Sequence, residues 1–62
     1  MSESKIVKLA RKGSSLAPDK TFYVFQKGRE KVFSCNPDDV PLWITLGYQI
    51  IHVFVNGNEI FE

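Results

Sequence analysis

Residues 35–62, CNPDDVPLWITLGYQIIHVFVNGNEIFE, carry the start and stop signals of a short helix followed by those of a β-hairpin. Asn36 can cap the helix with Pro37 at its first position, or Asp38 can cap it with Pro41 inside the first turn. At either place the missing proline N–H is one that a helix leaves unbonded anyway. Val40, Trp43, Ile44 and Leu46 then recur at helical spacing, and Gly47 stands where a left-handed C-terminal residue is wanted. A helix of about two turns is not stable alone, so Trp43 must dock on a sheet.

That sheet begins immediately downstream. Asn56-Gly57 between apolar runs is the preferred type I′ pair, because both central residues of that turn need positive φ. Strands are therefore expected over residues 49–55 and 58–61. In the first, Ile51, Val53 and Val55 should face one way and Ile50, His52 and Phe54 the other, the two-sided apolar pattern of a central strand.

Working outward toward the N-terminus, TFYVFQKGREKVFSC (21–35) reads as a second hairpin. Its strands are Phe22–Gln26 and Lys31–Cys35, and its turn is Lys27-Gly28, extended if needed to Arg29. SSLAPDK (14–20) has loop composition, with Pro18-Asp19 a turn initiator. KIVKLARK (5–12) fits either an edge strand or a single helical turn with Ile6, Leu9 and Ala10 on one face. The strand is the expectation, since lysines on an edge also discourage pairing with other chains. The predicted class is α+β in the order (β)ββαββ: a small antiparallel sheet of four to five strands, one short helix, and Phe25, Trp43 and Phe54 in the core.

All 62 residues make one domain, with residues 1–20 contributing least to the pattern. A chain this short buries only about 60% of its unfolded surface. One cysteine and one histidine provide neither an internal disulfide nor a four-ligand zinc site. Packing by five Phe, two Tyr and one Trp, or burial against a second copy or a partner, must supply the stability. The apolar run from Leu42 to Val55 is interrupted and falls short of the ~20 residues a membrane span needs. No secretory pattern heads the chain, so a soluble protein of a reducing compartment is expected, with no cofactor and no membrane partner.

Charge is distributed unevenly. Residues 1–31 hold all eight lysines and arginines against three acids, a net +5, whereas residues 32–62 hold four acids and no lysine or arginine, a net −4. The whole-chain +1 conceals this polarity, which points to a charged partner. Lys5, Lys8, Arg11 and Lys12, with Arg29, are the candidate partner contacts. Among acids, Glu59 is placed to pair across the sheet with a lysine.

Catalytic patterns are weak by comparison. Cys35 and His52 are the chain's one thiol and one imidazole, but nothing nearby would lower the thiol pKa or orient the ring. Structural roles account for both, and no enzyme is expected. Asp38 and Asp39 resemble a paired-carboxylate site, yet adjacent side chains diverge, and acids in a first helical turn complement the macrodipole. Phe22, Tyr23, Phe25 and Phe33 alternate with Lys20, Lys27, Arg29 and Lys31, as in sheets that stack single-stranded bases. A sequence pI of about 7.9 is low for a dedicated nucleic-acid binder, and so small a domain needs most of its aromatics inside.

Gly28, Lys31-Val32-Phe33, Asn36-Pro37-Asp38-Asp39-Val40 and Leu46-Gly47-Tyr48 together resemble a pattern in short bacteriophage-encoded accessory proteins, over about residues 28–50. There a strand leads into a proline–acid helix start, and the helix closes with leucine, glycine and an aromatic. The resemblance implies a virion component or an inhibitor of host machinery, resident in the virion or the host cytoplasm. The expected function is a non-enzymatic protein–protein interaction module docking on a larger partner. The alternative is a nucleic-acid-binding accessory protein using the basic half.

Overall fold

The computed structural model describes residues 4–60. An N-terminal helix, α1 (Lys5–Leu16), precedes strands β1 (Thr21–Lys27) and β2 (Glu30–Ser34). A 3-10 turn (Pro37–Asp39) then runs into the short helix α2 (Val40–Thr45), and β3 (Gln49–Val55) and β4 (Asn58–Glu59) close the chain. The four strands form one antiparallel sheet in the order β2-β1-β3-β4. The α+β class and the four-stranded antiparallel sheet are as expected, and β3 lies inside the sheet.

The principal correction is at the N-terminus. Residues expected as an edge strand form the longest helix, and Ser14, Ser15 and Leu16, expected in a loop, are its last turn. Two local features explain this. Ser4 caps the helix by accepting the Val7 N–H at 3.3 Å. Val7, Ala10 and Ser14, spaced three and four apart, form a buried stripe that lies along one face only in a helix. Ending the pattern at Lys12 hid its third member. Of the face imagined for a single helical turn, Ala10 is buried and Ile6 partly so, but Leu9 is exposed.

Helix α1 covers one face of the sheet, packing Val7 and Ala10 on Phe22, Val24 and Phe54. Gly13 permits the approach, since a Cβ there would lie 2.8 Å from Phe22 Cε2. Ser14, fully buried, donates its hydroxyl to Arg11 O and accepts the Gly57 N–H, each at 2.9 Å. Helix and β3–β4 turn are thereby joined across 43 residues of sequence.

Both hairpins form. Asn56 (φ +53) and Gly57 (φ +78) have the predicted left-handed pair of conformations. β4 is shorter than expected: pairing continues through Ile60 N–H to Val53 O at 2.8 Å, and residue 61 lies outside the described residues. The first hairpin turns at Gly28-Arg29, so the turn does extend to Arg29 while Lys27 stays in the strand, and Gly28 has φ +61, the sign a glycine at the first central position supplies. Lys27 ends β1 opposite Glu30.

Strict alternation fails once. Val24 pairs with His52, but Phe25 pairs with Ile50, so Ile51 is an extra residue on β3. The bulge puts Ile50 opposite Phe25, while Ile51 packs against the helix-covered core, a departure from the alternation expected along β3. Phe25 and Phe54 are fully buried as expected, whereas Trp43 is only half-buried.

The linking helix starts in two stages. Asn36 Oδ1 accepts the Asp38 N–H at 3.0 Å to cap the 3-10 turn, and α2 follows without a side-chain cap of its own. It ends as predicted: Gly47 has φ +100, Gly47 N–H reaches Ile44 O, and Tyr48 N–H reaches Trp43 O, the paired bonds of a Schellman motif. Lys27 Nζ adds a bond to Leu46 O at 2.9 Å, satisfying another terminal carbonyl. Trp43 docks on Phe25 (centroids 6.0 Å apart) and meets Tyr48 edge-on at 5.1 Å. Ile44 and Leu46, expected on the docked face, are about half exposed, because so short a helix reaches the sheet chiefly through its tryptophan.

Candidate interaction surface

The helical register of α1 sorts its residues into a packed stripe and an outward one. With Val7, Ala10 and Ser14 turned in, Lys5, Lys8, Leu9, Arg11, Lys12, Ser15 and Leu16 are all exposed. Lys5, Leu9, Lys12 and Leu16 follow at intervals of four, three and four, so they lie along one line of the helix. Leucines 45% and 77% exposed, at Leu9 and Leu16, therefore alternate with ammonium groups. Lys5, Lys8 and Lys12 make no ion pair among the described residues. Their charge faces outward uncompensated by that portion of the chain.

Lys8 and Arg11 lie to one side of this line and, with its member Lys12 and with Ser15 and Gly57, border an open depression of about 490 Å³ between α1 and the β3–β4 turn. Arg11 is held there, its guanidinium carbon 5.1 Å from the centroid of the buried Phe54 ring. The fold thus brings four of the five sequence-predicted contacts onto one helix. Arg29 does not join them: it occupies the β1–β2 turn, at the opposite end of the antiparallel sheet from Gly57.

The remaining candidate residues are separated by the sheet. His52 Nδ1 pairs with Glu59 Oε2 across β3 and β4, so Glu59 meets the histidine rather than a lysine. Cys35 is half-buried just beyond β2, with β1 lying between β2 and β3. Asp39 Oδ2 accepts the Ser34 hydroxyl at 3.4 Å, and Asp38 is tied by its backbone to Asn36. Among the described residues, no group of three or more His, Cys, Asp or Glu side chains could hold a metal ion. The aromatic set does not form one exposed platform either. Phe22 and Phe25 are buried, Phe33 stacks on Phe22 at 6.2 Å, and Tyr23 and Phe25 occupy the face opposite Phe22.

Sequence reasoning missed the outward leucine line, because a strand reading does not place Lys5, Leu9, Lys12 and Leu16 together. The signal that could have found it is the spacing of Val7, Ala10 and Ser14.

The fold and surface define a small α+β domain in which a basic, partly apolar helix lies on a four-stranded antiparallel sheet. No protein-family model, curated protein or solved structure matches the chain. No helix among the described residues is long and apolar enough to cross a membrane.

Proposed function

We propose that this chain is a non-enzymatic docking module whose helix α1 seats in an apolar groove, rimmed by acids, on a larger protein. The outward line Lys5-Leu9-Lys12-Leu16 carries the reading. An amphipathic helix entering a groove presents apolar anchors at such intervals, and ammonium groups between them suit a carboxylate rim. Charge would orient and speed the encounter more than it would tighten the final complex, while Leu9 and Leu16 would set the dissociation rate. The resemblance to short phage-encoded accessory proteins suits this role, with a virion component or a host enzyme as the larger partner.

Binding to nucleic acid through the same lysines is the second reading. Exposed leucines on the basic line give a phosphate backbone nothing to bind, and the aromatics that would stack bases are divided between two faces of the sheet.

The test begins with capture from nuclease-treated host lysate on the immobilised chain, followed by titration of the purified partner. Lys5→Glu with Lys12→Glu should weaken binding and flatten its dependence on salt. Leu9→Ser with Leu16→Ser should raise the off-rate and leave the salt slope intact. Binding unchanged by both pairs would refute the proposal. So would capture lost on nuclease treatment, together with a gel shift whose affinity falls by about 0.7–0.9 log units per phosphate contact for each tenfold rise in salt.

A further inference from the structure

Strand β2 is an edge of the sheet: β1 pairs with one side of it, and among the described residues no strand lies on the other. Alternation along the hairpin decides which of its backbone groups face out. Lys27 and Glu30 flank the Gly28-Arg29 turn as a hydrogen-bonded pair, so Phe25 with Val32 and Tyr23 with Ser34 are hydrogen-bonded pairs too. Lys31 and Phe33 therefore direct their N–H and C=O away from β1. Their side chains share the sheet face that α1 covers, where Phe33 stacks on Phe22 yet stays 37% exposed. Val32 lies opposite Phe25 on the other face.

We propose that the β2 edge pairs antiparallel with the β2 edge of a second copy of this chain, about a two-fold axis at Val32. Because Lys31 and Phe33 stand symmetrically about Val32, Lys31 of each copy meets Phe33 of the other, and each pair exchanges both N–H···O bonds. The ammonium group and the exposed ring then lie side by side on one face, an attractive contact. Other registers are poorer. An axis at Lys31 sets two ammonium groups opposite each other, and an axis at Phe33 carries Lys31 to Cys35, beyond the end of β2. Charge also suits a second copy: every lysine and arginine lies at or before residue 31, and the acids Asp38 and Asp39 follow β2. Antiparallel pairing brings Arg29 of each copy beside Cys35 of the other, next to that acidic turn. Glu30 is the exception, because it meets Ser34, whose hydroxyl bonds Asp39. The pairing is self-complementary and yields one continuous sheet with both α1 helices on the same face.

The full chain is followed by sedimentation from about 10 μM to about 1 mM, with a Kd of about 0.1 mM or below expected for so small an interface. The mass should rise from 7.1 kDa toward twice that value. Lys31→Pro removes an outward donor at an edge position where proline is tolerated, so it should keep the amide spectrum of the fold and weaken association at least tenfold. Glu30→Gln should strengthen association and Arg29→Glu should weaken it, each at least twofold. In a Cys35→Ser background, Val32→Cys should cross-link to itself on oxidation, since directly opposed non-hydrogen-bonded residues stand about 4.5 Å apart between Cα atoms. Should Lys31→Pro unfold, that cross-link decides. Leu9→Ser with Leu16→Ser should leave the association unchanged, which separates it from docking through α1. A chain that stays monomeric at about 1 mM would overturn the proposal, whether or not a strand of another protein takes the edge. So would association undiminished in a folded Lys31→Pro, or a Val32→Cys that forms no cross-linked dimer.

Discussion

Gly13→Ala reverses the usual rule for a glycine inside a helix. At an exposed position the substitution gains about 1 kcal/mol, because glycine has the greater backbone freedom to lose. Gly13, however, is part of the contact between α1 and the sheet. A Cβ there would lie 2.8 Å from Phe22 Cε2 and 3.1 Å from Cζ, inside normal carbon–carbon contact. The Phe22 ring cannot simply retreat, being only 8% exposed and stacked on Phe33. Overpacking of this kind costs about 1–3 kcal/mol. The clash should therefore match or exceed the helical gain, leaving a net loss of about 0–2 kcal/mol. For a chain of 62 residues, 1 kcal/mol moves Tm by about 8 °C, so the upper end of that range is easily read by circular dichroism on heating and by urea titration. A Phe22→Leu background removes the ring atoms that clash. There Gly13→Ala should be more favourable than in the native background by at least about 1 kcal/mol, a coupling typical of residues in contact. Stabilisation by the full helical amount in the native background, with no coupling to Phe22, would refute the packing of α1 described above.

Ser14→Ala removes the acceptor for the Gly57 N–H. The expected loss is about 1–2 kcal/mol, less a few tenths for alanine's helix propensity, and hydrogen exchange at Gly57 should accelerate; unchanged exchange would contradict the tie between helix and turn. The His52–Glu59 pair, each side chain 31% exposed, should yield a coupling of only about 0.2–1 kcal/mol in a double-mutant cycle. That coupling should shrink in 1 M salt, and a larger, salt-insensitive value would assign the pair a structural role beyond a surface contact.

Much of the second half of the fold was legible because its signals are local. Asn56-Gly57 can hardly be anything but a hairpin turn between apolar runs, and Leu46-Gly47-Tyr48 ends a helix by backbone requirements that glycine meets. The N-terminal helix was not legible because it depends on distant partners. Gly13 and Ser14 are poor helix formers taken alone, yet Gly13 admits Phe22 and Ser14 satisfies a turn 43 residues away. Tertiary contact here overrides local preference. The bulge at Ile51 escaped for a related reason: an uninterrupted apolar run does not mark the residue that the neighbouring strand will skip. The basic residues of the surface were found by charge alone, but their geometry was not. Lys5, Lys8, Arg11 and Lys12 share one helix only if residues 5–16 are helical, and Arg29 was grouped with them only because charge has no address in sequence.

Exposed leucines on α1 should matter to a partner and not to the fold, and one comparison measures both. Leu9→Ser with Leu16→Ser, made together and set against Val7→Ser, is assayed for thermal stability and for affinity to the captured partner. The leucine pair should change stability by no more than about 0.5 kcal/mol per site while weakening the partner at least tenfold, and Val7→Ser should unfold or severely destabilise the chain. Partner affinity untouched by the leucine pair, or a loss of stability equal to that of Val7→Ser, would contradict the docking role of this helix.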